Sequence, residues 1–410
     1  MNSSKKLKIG FFVTHPIQYQ IPLFRYLYNN SNFNFKVYYL SDFSFYSYDD
    51  KEFIKNFNWD IDMKSGYEYK VLLKNHKNSK LNFFNPLNLF FFRYLIKDKI
   101  DIVWVHGWGQ LSNIFLVIQA KLLGKKVFIR GESSKHLDHD KSKFKLLLKK
   151  IFFSIFFKLI DKFLYIGKNN LDFYKDYIVD ENKFIFCPYV VDNNFFNKYS
   201  LINYKKDISI KFLFCGKFIQ RKRPIDILMA INLIKEKTPY LLSQSVFNFV
   251  GSGQLEKELK EYINKKNLNN VVTLSGFQNQ SDIVNTYISS DVLIIPSEKE
   301  PWGLVVNEAM ASQCAIISSS GTGCSKDLVI EDYNGYIYET GDVYSLSKII
   351  SCSLIYFLFF SPISSNKISS SLFFFITDCI IFFNSSSLTI YSEPKLHFNF
   401  FFLLLTKNPV

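Results

Sequence analysis

Two glutamates, Glu300 and Glu308, stand where an apolar run gives way to a helical pattern. The run 292–295 (Val-Leu-Ile-Ile) ends at Pro296, and Pro301 and Gly303 keep the chain out of a helix until about residue 303. Glu300 then lies in the loop, and Glu308 falls about one and a half turns into a helix over 304–311. The start of that helix offers N–H groups without intrahelical acceptors and the positive end of its dipole, a site for a diphosphate. Carboxylates beside such a site, rather than on the phosphates, accept hydrogen bonds from sugar hydroxyls. The same residues also read as an acidic loop before a capped helix, and spacing alone leaves both readings open.

The elements that must hold these residues follow from periodicity. Short apolar runs alternate with longer amphipathic stretches, the pattern of an α/β protein with parallel sheets. Strands are expected over 8–13, 35–40, 101–105, 126–129, 162–166 and 184–186, with a helix near 21–28 and a polar linker over 199–207. The rhythm restarts with strands over 210–215, 245–250, 271–274, 292–295 and 315–318, separated by helices over 224–235, 254–265, 280–289 and 303–312. The fold class expected is therefore two doubly wound, Rossmann-like domains in series, 1–200 and 201–350. In such sheets ligands bind beyond the carboxyl ends of the strands, where the strand order reverses. The residues there are His15, Gln18, His106, Arg130 and Glu132 in the first half, and Gly216, Gly251, Gly253 and Gly276 in the second. Gly251 and Gly253 alone are a weak phosphate signal, since glycines also turn a strand into a helix, and they are expected as close-approach backbone.

The chain has 410 residues, 50 basic against 36 acidic, and a formal charge of +14. At roughly 150 residues per domain this length fits two domains or three, large enough to need no staples. An apolar fraction of 48% and a charged fraction of 21% exclude disorder, collagen and coiled coil. Phe (45) and Tyr (25) are abundant, a bias that an AT-rich genome produces as readily as function does, so a single aromatic carries little weight. The six cysteines show no Cys-x-x-Cys pair, which points to reduced thiols, a cytoplasmic location and no metal site. The apolar run at 9–13 is too short for a signal peptide and reads as a first strand. No run of about 18 apolar residues occurs in 1–350, so no transmembrane helix is expected there. The positive charge would suit nucleic acid, but no nucleic-acid motif accompanies it.

Glu300 and Glu308, with seven residues between them and the Trp302-Gly303 step after the first, resemble the signature of glycosyltransferase family 4, the glycosyl transferases group 1. Other segments resemble the family in its own order: 186–192, then 212–217 with the basic loop 221–224, 250–253, 274–277 and 291–297. His15-Pro16-Ile17-Gln18-Tyr19 resembles the start of a subgroup that carries this motif after its first strand. The resemblance implies the GT-B fold, two Rossmann-like domains facing a cleft, and retaining transfer from a UDP- or GDP-sugar with no further cofactor. It implies that Glu300 meets sugar hydroxyls and that Lys217 and Lys222 stabilise the charge growing on the leaving β-phosphate, without a metal. Donor contacts would come from Gly216, Gly251, Gly253, Gly276, Phe277, Trp302, Gly303 and Leu304, with Glu308 at the ribose. Outside the resemblance, the two lysines read as a solvated basic loop. No Asp-x-Asp pair sits suitably after a strand to hold Mg²⁺.

The first half departs from the family at one strand end. Many members place a histidine there that supports the donor sugar, whereas this chain has Arg130-Gly131-Glu132-Ser133. That role transfers to neither Arg130 nor Glu132, either of which could contact donor or acceptor. His15, Gln18, His106, Arg130 and Glu132 are assigned to the acceptor side, with the reservation that a histidine at a strand end is commonly structural. The stretch 141–162 interleaves lysines with Phe and Leu. It reads either as an ordinary first-domain helix or as a surface lying on an anionic membrane beside a lipid-linked acceptor.

The resemblance stops near residue 346. Residues 351–410 hold 12 Phe and 12 Ser but three Lys and two acids, an atypical tail expected to be out-of-frame translation or a truncation junction that leaves the second domain incomplete. The function expected is transfer of a hexosyl group from a nucleoside-diphosphate sugar to a glycan or lipid-linked acceptor in surface polysaccharide assembly. The alternative is a non-catalytic nucleotide-sugar-binding remnant. The expected location is cytoplasmic, or peripheral on the inner face of the cytoplasmic membrane.

Overall fold

The computed structural model describes residues 6–50, 55–74, 81–138, 142–197 and 209–360. The expected linker over 199–207 and the tail from 361 onward lie outside the described residues.

The first domain is a seven-stranded, all-parallel sheet. Its strands are β1 (Lys8–Val13), β2 (Asn34–Ser41), β5 (Tyr69–Leu73), β6 (Ile102–His106), β7 (Lys126–Arg130), β8 (Lys162–Tyr165) and β9 (Phe184–Phe186), in the order β5-β2-β1-β6-β7-β8-β9. A separate antiparallel pair, β3 (Tyr48–Asp50) and β4 (Lys55–Phe57), stands between β2 and β5 in the chain. The near-continuous apolar runs of the central strands are explained by helices on both faces. Phe11 and Trp104 face the side of α1 (Ile21–Asn30), their rings 4.7 Å apart. Phe12, Val103 and Val105 face the other side, which is covered by α2 (Phe92–Lys97), α3 (Leu111–Leu122), the end of α4 (Lys143–Phe156) and α5 (Lys168–Lys175).

In α4 the sequence had left two readings open. Phe153 and Phe156, in the last turn, enter the core, whereas residues 143–148 are exposed throughout. The ordinary-helix reading therefore holds only for the carboxyl end.

The short helix α6 (Asn193–Asn197) precedes the second domain but already packs on it, with Phe196 buried beside Tyr287, Val306 and Ala309. By packing, the chain crosses between domains ahead of residue 200. The second sheet, also all parallel, contains β10 (Ile210–Cys215), β11 (Ser245–Val250), β12 (Val272–Gly276), β13 (Val292–Ile295), β14 (Ala315–Ser319) and β15 (Gly335–Tyr338), in the order β12-β11-β10-β13-β14-β15. One face carries α7 (Pro224–Lys237), α8 (Glu256–Lys265) and α12 (Val343–Phe360); the other carries α9 (Gln280–Ile288), α10 (Leu304–Ala311) and α11 (Ser325–Leu328). Helix α12 runs through residue 350, where the composition changes, and Leu354 is fully buried with Leu346 and Ile350. The packed second domain thus extends past the boundary drawn at 350.

Both sheets reverse their strand order beside the first strand of the domain, between β1 and β6 and between β10 and β13. These are the two places where the carboxyl edge opens a crevice.

Candidate active site

At the β10–β13 crevice, three loops are tied together by backbone hydrogen bonds. Glu298 N–H donates to the Arg221 carbonyl (2.9 Å), Glu300 N–H to the Gly321 carbonyl (3.1 Å), and Gly323 N–H to the Glu300 carbonyl (2.9 Å). This cross-bracing sets the direction of the Glu300 side chain. Lys222 Nζ donates to Glu300 Oε2, and Arg221 Nη1 stands 3.9 Å from the same oxygen. Both members of the Lys222–Glu300 pair are largely buried, at 15% and 14% side-chain exposure, so each charge depends on the other for compensation. Lys222 closes a 3-10 turn over Gln220–Lys222, and Arg223 then takes a left-handed conformation (φ 50°) to cap α7, whose first residue is Pro224. Of the three residues assigned catalytic roles from the sequence, Lys222 and Glu300 are therefore in contact. Lys217, half-buried, follows Gly216 at the end of β10 in the same loop system.

The helix after the glutamate motif starts where the sequence placed it. Gly303, at φ 96°, is the residue before Leu304, the first of α10. A left-handed N-cap of this kind suits glycine, and the first turn of α10 opens beside Glu300 with the positive end of its dipole. Glu308 sits deeper. It is 9% exposed and accepts a 2.8 Å hydrogen bond from Tyr287 OH. Burial pushes its pKa up to about 7, against the opposing effects of Tyr287 and Gln280.

The glycine turns have a packing reason of their own. A Cβ on Gly251 would lie 1.8 Å from the Gly216 carbonyl oxygen, at a backbone φ of 146°. The close approach made by Gly251 is thus to the neighbouring loop. Gly276 (φ 70°) has nothing within 4 Å of a built Cβ, and Phe277 beside it is half-buried. Trp302, placed among the donor contacts by resemblance, is 5% exposed and packs between the domains. Its indole N–H donates to Asn307 Oδ1 (2.8 Å), and its ring lies near Tyr189 and against Gly167 of the first domain.

Across the crevice, the carboxyl ends of β1, β6 and β7 gather polar side chains that the strands alone do not satisfy. His15 stacks on Phe43 at 4.6 Å, and burial lowers its pKa to about 4. Gln18 opens the 3-10 turn Gln18–Gln20 and is half-buried. The Gln20 amide lies 3.5 Å from His106 Nδ1. Burial, reinforced by the charge of Arg130, lowers the pKa of His106 to about 3. Both imidazoles are neutral, fit to accept or donate a hydrogen bond but not to carry charge. Arg130 is 5% exposed, its guanidinium 4.2 Å from the centre of the Tyr189 ring, and its Nε and Nη2 have no hydrogen-bond partner among the described residues. A buried guanidinium with open donors is costly unless an anion or acceptor completes it.

Glu132 accepts a hydrogen bond from Tyr189 OH and feels both Arg130 and Glu300. It is open to water, yet protein walls it on both sides of the crevice. That crowding raises its pKa, with Glu300 adding to the rise and Arg130 opposing it. Glu132 and Glu300 thus repel one another across the crevice, one carboxylate from each domain.

The domains meet on either side of this cleft. Lys168 N–H donates to Asp327 Oδ1 (3.0 Å) and Asn169 Nδ2 to the Gly323 carbonyl (3.3 Å). Elsewhere, Asn279 Nδ2 reaches the Asn58 carbonyl (2.7 Å) and Ser281 N–H the Asp60 carboxylate (3.0 Å). A cavity of about 600 Å³ lined by Lys8, Asn34, Lys36, Glu68 and Asp98 lies at the opposite, amino-terminal edge of the first sheet and takes no part in the site. Residues that the sequence reading missed are Tyr189, Gln20 and Tyr287. In a chain with 25 tyrosines no spacing rule singles out the two that matter here; Gln20 directly follows the 15–19 motif but had no partner to mark it.

Residues 198–353 match the family described as Glycosyl transferases group 1. Residues 198–353 are a glycosyl transferases group 1 domain. The chain is 27% identical over 264 residues to the UDP-Gal:alpha-D-GlcNAc-diphosphoundecaprenol alpha-1,3-galactosyltransferase of Escherichia coli, covering 62% of this chain and 66% of that one, just under two thirds of its length. It is 25% identical over 302 residues to the N,N'-diacetylbacillosaminyl-diphospho-undecaprenol alpha-1,3-N-acetylgalactosaminyltransferase of Campylobacter jejuni, covering 70% and 76%. The structure of Anabaena HepE in complex with UDP and glucose superposes with a TM-score of 0.61 at 14% identity, over 89% of this chain and 94% of that one. At that identity the likeness speaks for the fold alone, which is GT-B. The glycosyl transferases group 1 domain contributes the Lys222–Glu300 pair and α10 to the cleft, and the first domain contributes Arg130 and Glu132.

Proposed function

We propose that the chain is a retaining, metal-independent glycosyltransferase. It moves a hexosyl group from a UDP- or GDP-sugar, seated on the group 1 domain, to a glycan or lipid-linked acceptor on the first domain, in surface polysaccharide assembly. The observation that carries this reading is the Lys222–Glu300 pair at the mouth of α10, facing Arg130 and Glu132 across the cleft. Donor cleavage leaves negative charge on the β-phosphate. An ammonium held in place before the reaction stabilises that charge without reorganisation. The first turn of α10 adds N–H donors to the same phosphates. Glu300, held by Lys222, offers its other oxygen to donor-sugar hydroxyls, and Glu308 offers an acceptor toward the ribose. Retention follows from the family-4 resemblance. Both curated relatives quoted above are named for acceptors on undecaprenyl diphosphate, which supports a lipid-linked acceptor and a place of work at the inner face of an anionic membrane.

The non-catalytic alternative rests on the composition break near residue 350; against it, α12 continues through that break and buries Leu354 in the core of the second domain. The test is turnover with a panel of UDP-, GDP- and ADP-sugars, followed by the anomeric proton coupling of the product. Hydrolysis or transfer with retained configuration is expected. Binding without turnover would return the chain to the remnant reading.

A further inference from the structure

Helices α2, α3 and α4 form one layer on the first sheet, with their inward side chains in a single core. Their outward side is unusual. Along α4, Phe144 (68% exposed), Leu147 (54%), Leu148, Ile151 and Ile155 (65%) all face water. They recur at intervals of three and four, so they form one continuous stripe. The same layer carries further exposed apolar side chains at Leu122 of α3 (72% exposed) and Ile96 of α2. An apolar surface of this extent on a polar-rimmed domain marks an interaction site.

The charge around the stripe decides what covers it. Segments 81–97, 111–126 and 142–160, which supply the three helices, contain ten Lys or Arg and no Asp or Glu. On α4 itself, Lys143, Lys145 and Lys150 are exposed beside the apolar residues. A second copy of this chain would bring like charges together on this face, so self-association is disfavoured. A lipid surface bearing negative headgroups complements it, with apolar side chains entering the acyl boundary and lysines reaching back to phosphates. Among the described residues no helix is long and apolar enough to cross a membrane, and α4, at 14 residues, suits lying in the interface.

We infer that the outer face of the α2–α3–α4 layer, with the stripe of α4 at its centre, seats the protein on an anionic bilayer. The seat adjoins the site. The chain leaves β7 at Arg130, on the cleft edge of the sheet, and after the crossover α4 starts from that edge and runs back toward β8. The amino end of the stripe therefore lies toward the same edge of the sheet as Arg130 and Glu132, the edge where a lipid-borne acceptor would arrive. This deepens the proposed function and rests on it only for what the membrane delivers; the surface chemistry is independent of it.

The test is flotation of the full chain with vesicles of phosphatidylcholine, with and without phosphatidylglycerol, at low and high salt. Parallel calorimetry measures binding of UDP and GDP. Flotation with the anionic vesicles that weakens with salt is expected. A Leu147→Glu/Ile151→Glu double variant, altered at exposed positions, should lose at least tenfold in vesicle partition while keeping its thermal midpoint and nucleotide binding. Lys145→Glu/Lys150→Glu should lose the preference for anionic vesicles. Absence of flotation by the parent, unchanged flotation of the Leu147/Ile151 variant, or a parent oligomer that this variant dissolves would each overturn the inference. Nucleotide binding without flotation would sink the seat alone, and flotation without nucleotide binding would sink the enzymatic reading alone.

Discussion

Lys222 and Glu300, 78 positions apart in the chain, form a contact pair at the mouth of the group 1 domain, with Lys222 Nζ donating to Glu300 Oε2. Because both side chains are mostly withdrawn from water, the pair acts as a unit, and removing either partner strands the other charge. Lys222→Ala is expected to lower turnover by about 10²–10³-fold, the cost of losing a preorganised donor at a developing charge. Glu300→Gln should lower it as well. The double variant should lose less stability than the sum of the single losses, with a coupling of about 1–3 kcal/mol. Urea unfolding of the four proteins in the cycle, alongside donor turnover, checks both statements. Strictly additive stabilities would mean the contact carries no energy.

Glu308 makes the fold sensitive to pH in a defined direction. Its folded pKa of about 7 lies above the ordinary value of 4.5, so the native state holds its proton more tightly than the unfolded chain does. Stability from this group is fully present below about pH 4.5 and is lost as pH rises through about 7, amounting to about 3 kcal/mol at the high end. Glu308→Gln keeps an acceptor for Tyr287 OH and has no proton to lose. Comparing unfolding free energies at pH 5 and pH 8 should show the parent losing more stability than this variant. Equal losses would place the titration elsewhere.

Arg130 should cost the fold and serve the acceptor. Replacing it with Met removes a buried charge whose Nε and Nη2 lack partners, so the thermal midpoint is expected to hold or to rise, by about 1 kcal/mol in stability. The same change should raise the acceptor KM by roughly tenfold or more, with the donor KM unchanged. The His106 pKa should also climb from its depressed value, because Arg130 contributes to lowering it; NMR titration of the imidazole reads this directly. A His106 pKa that stays put would show that burial alone sets it.

The glycine turns predict a contrast. Gly251→Ala drives a methyl group into the Gly216 carbonyl at a backbone angle that L-residues avoid, and should destabilise by about 3 kcal/mol or more. Gly276→Ala meets open space and should cost about 1 kcal/mol, the backbone strain alone. Thermal unfolding of the two variants separates a packing glycine from one that is merely left-handed.

A fifth expectation concerns where the second domain closes. Leu354→Ala should cost about 2–5 kcal/mol, as for a fully buried leucine. A chain ending after residue 350 should lose the cooperative unfolding of this domain, and one ending after residue 360 should keep it. Equal unfolding of the two would make the last turns of α12 dispensable.

How much of this was legible beforehand depends on the range of the interaction. The strands β1, β10, β11 and β13 were placed to the residue, because a strand of the sheet interior writes itself as an apolar run between turns, and the edge strand β9 was placed by its Phe-Ile-Phe run. β15 and α2 were not placed: Gly335–Tyr338 is short and mixed, and Phe92–Lys97 is a helix within a Phe-rich stretch that periodicity cannot resolve. The Glu300–Glu308 motif was readable because its spacing is local. Neither the Lys222 contact nor the Arg130–Tyr189 stacking was, since each joins residues far apart in the chain whose types are common in this sequence.

The sequence by itself determined two α/β domains, a break in composition near residue 350, and the residues at each strand end that chemistry would use. Those features are written in short windows, where turn residues and apolar periods act on their neighbours. Only the tertiary structure decided that Glu300 is held by Lys222, that Glu308 is buried enough to keep its proton near neutrality, and that Trp302 belongs to the domain contact. It also decided that α4 turns most of its apolar side chains outward. Charge pairing, desolvation and the facing of a helix depend on what lies opposite in space, and an amphipathic pattern of Lys, Phe and Leu reads the same whether its apolar side meets a core or a membrane.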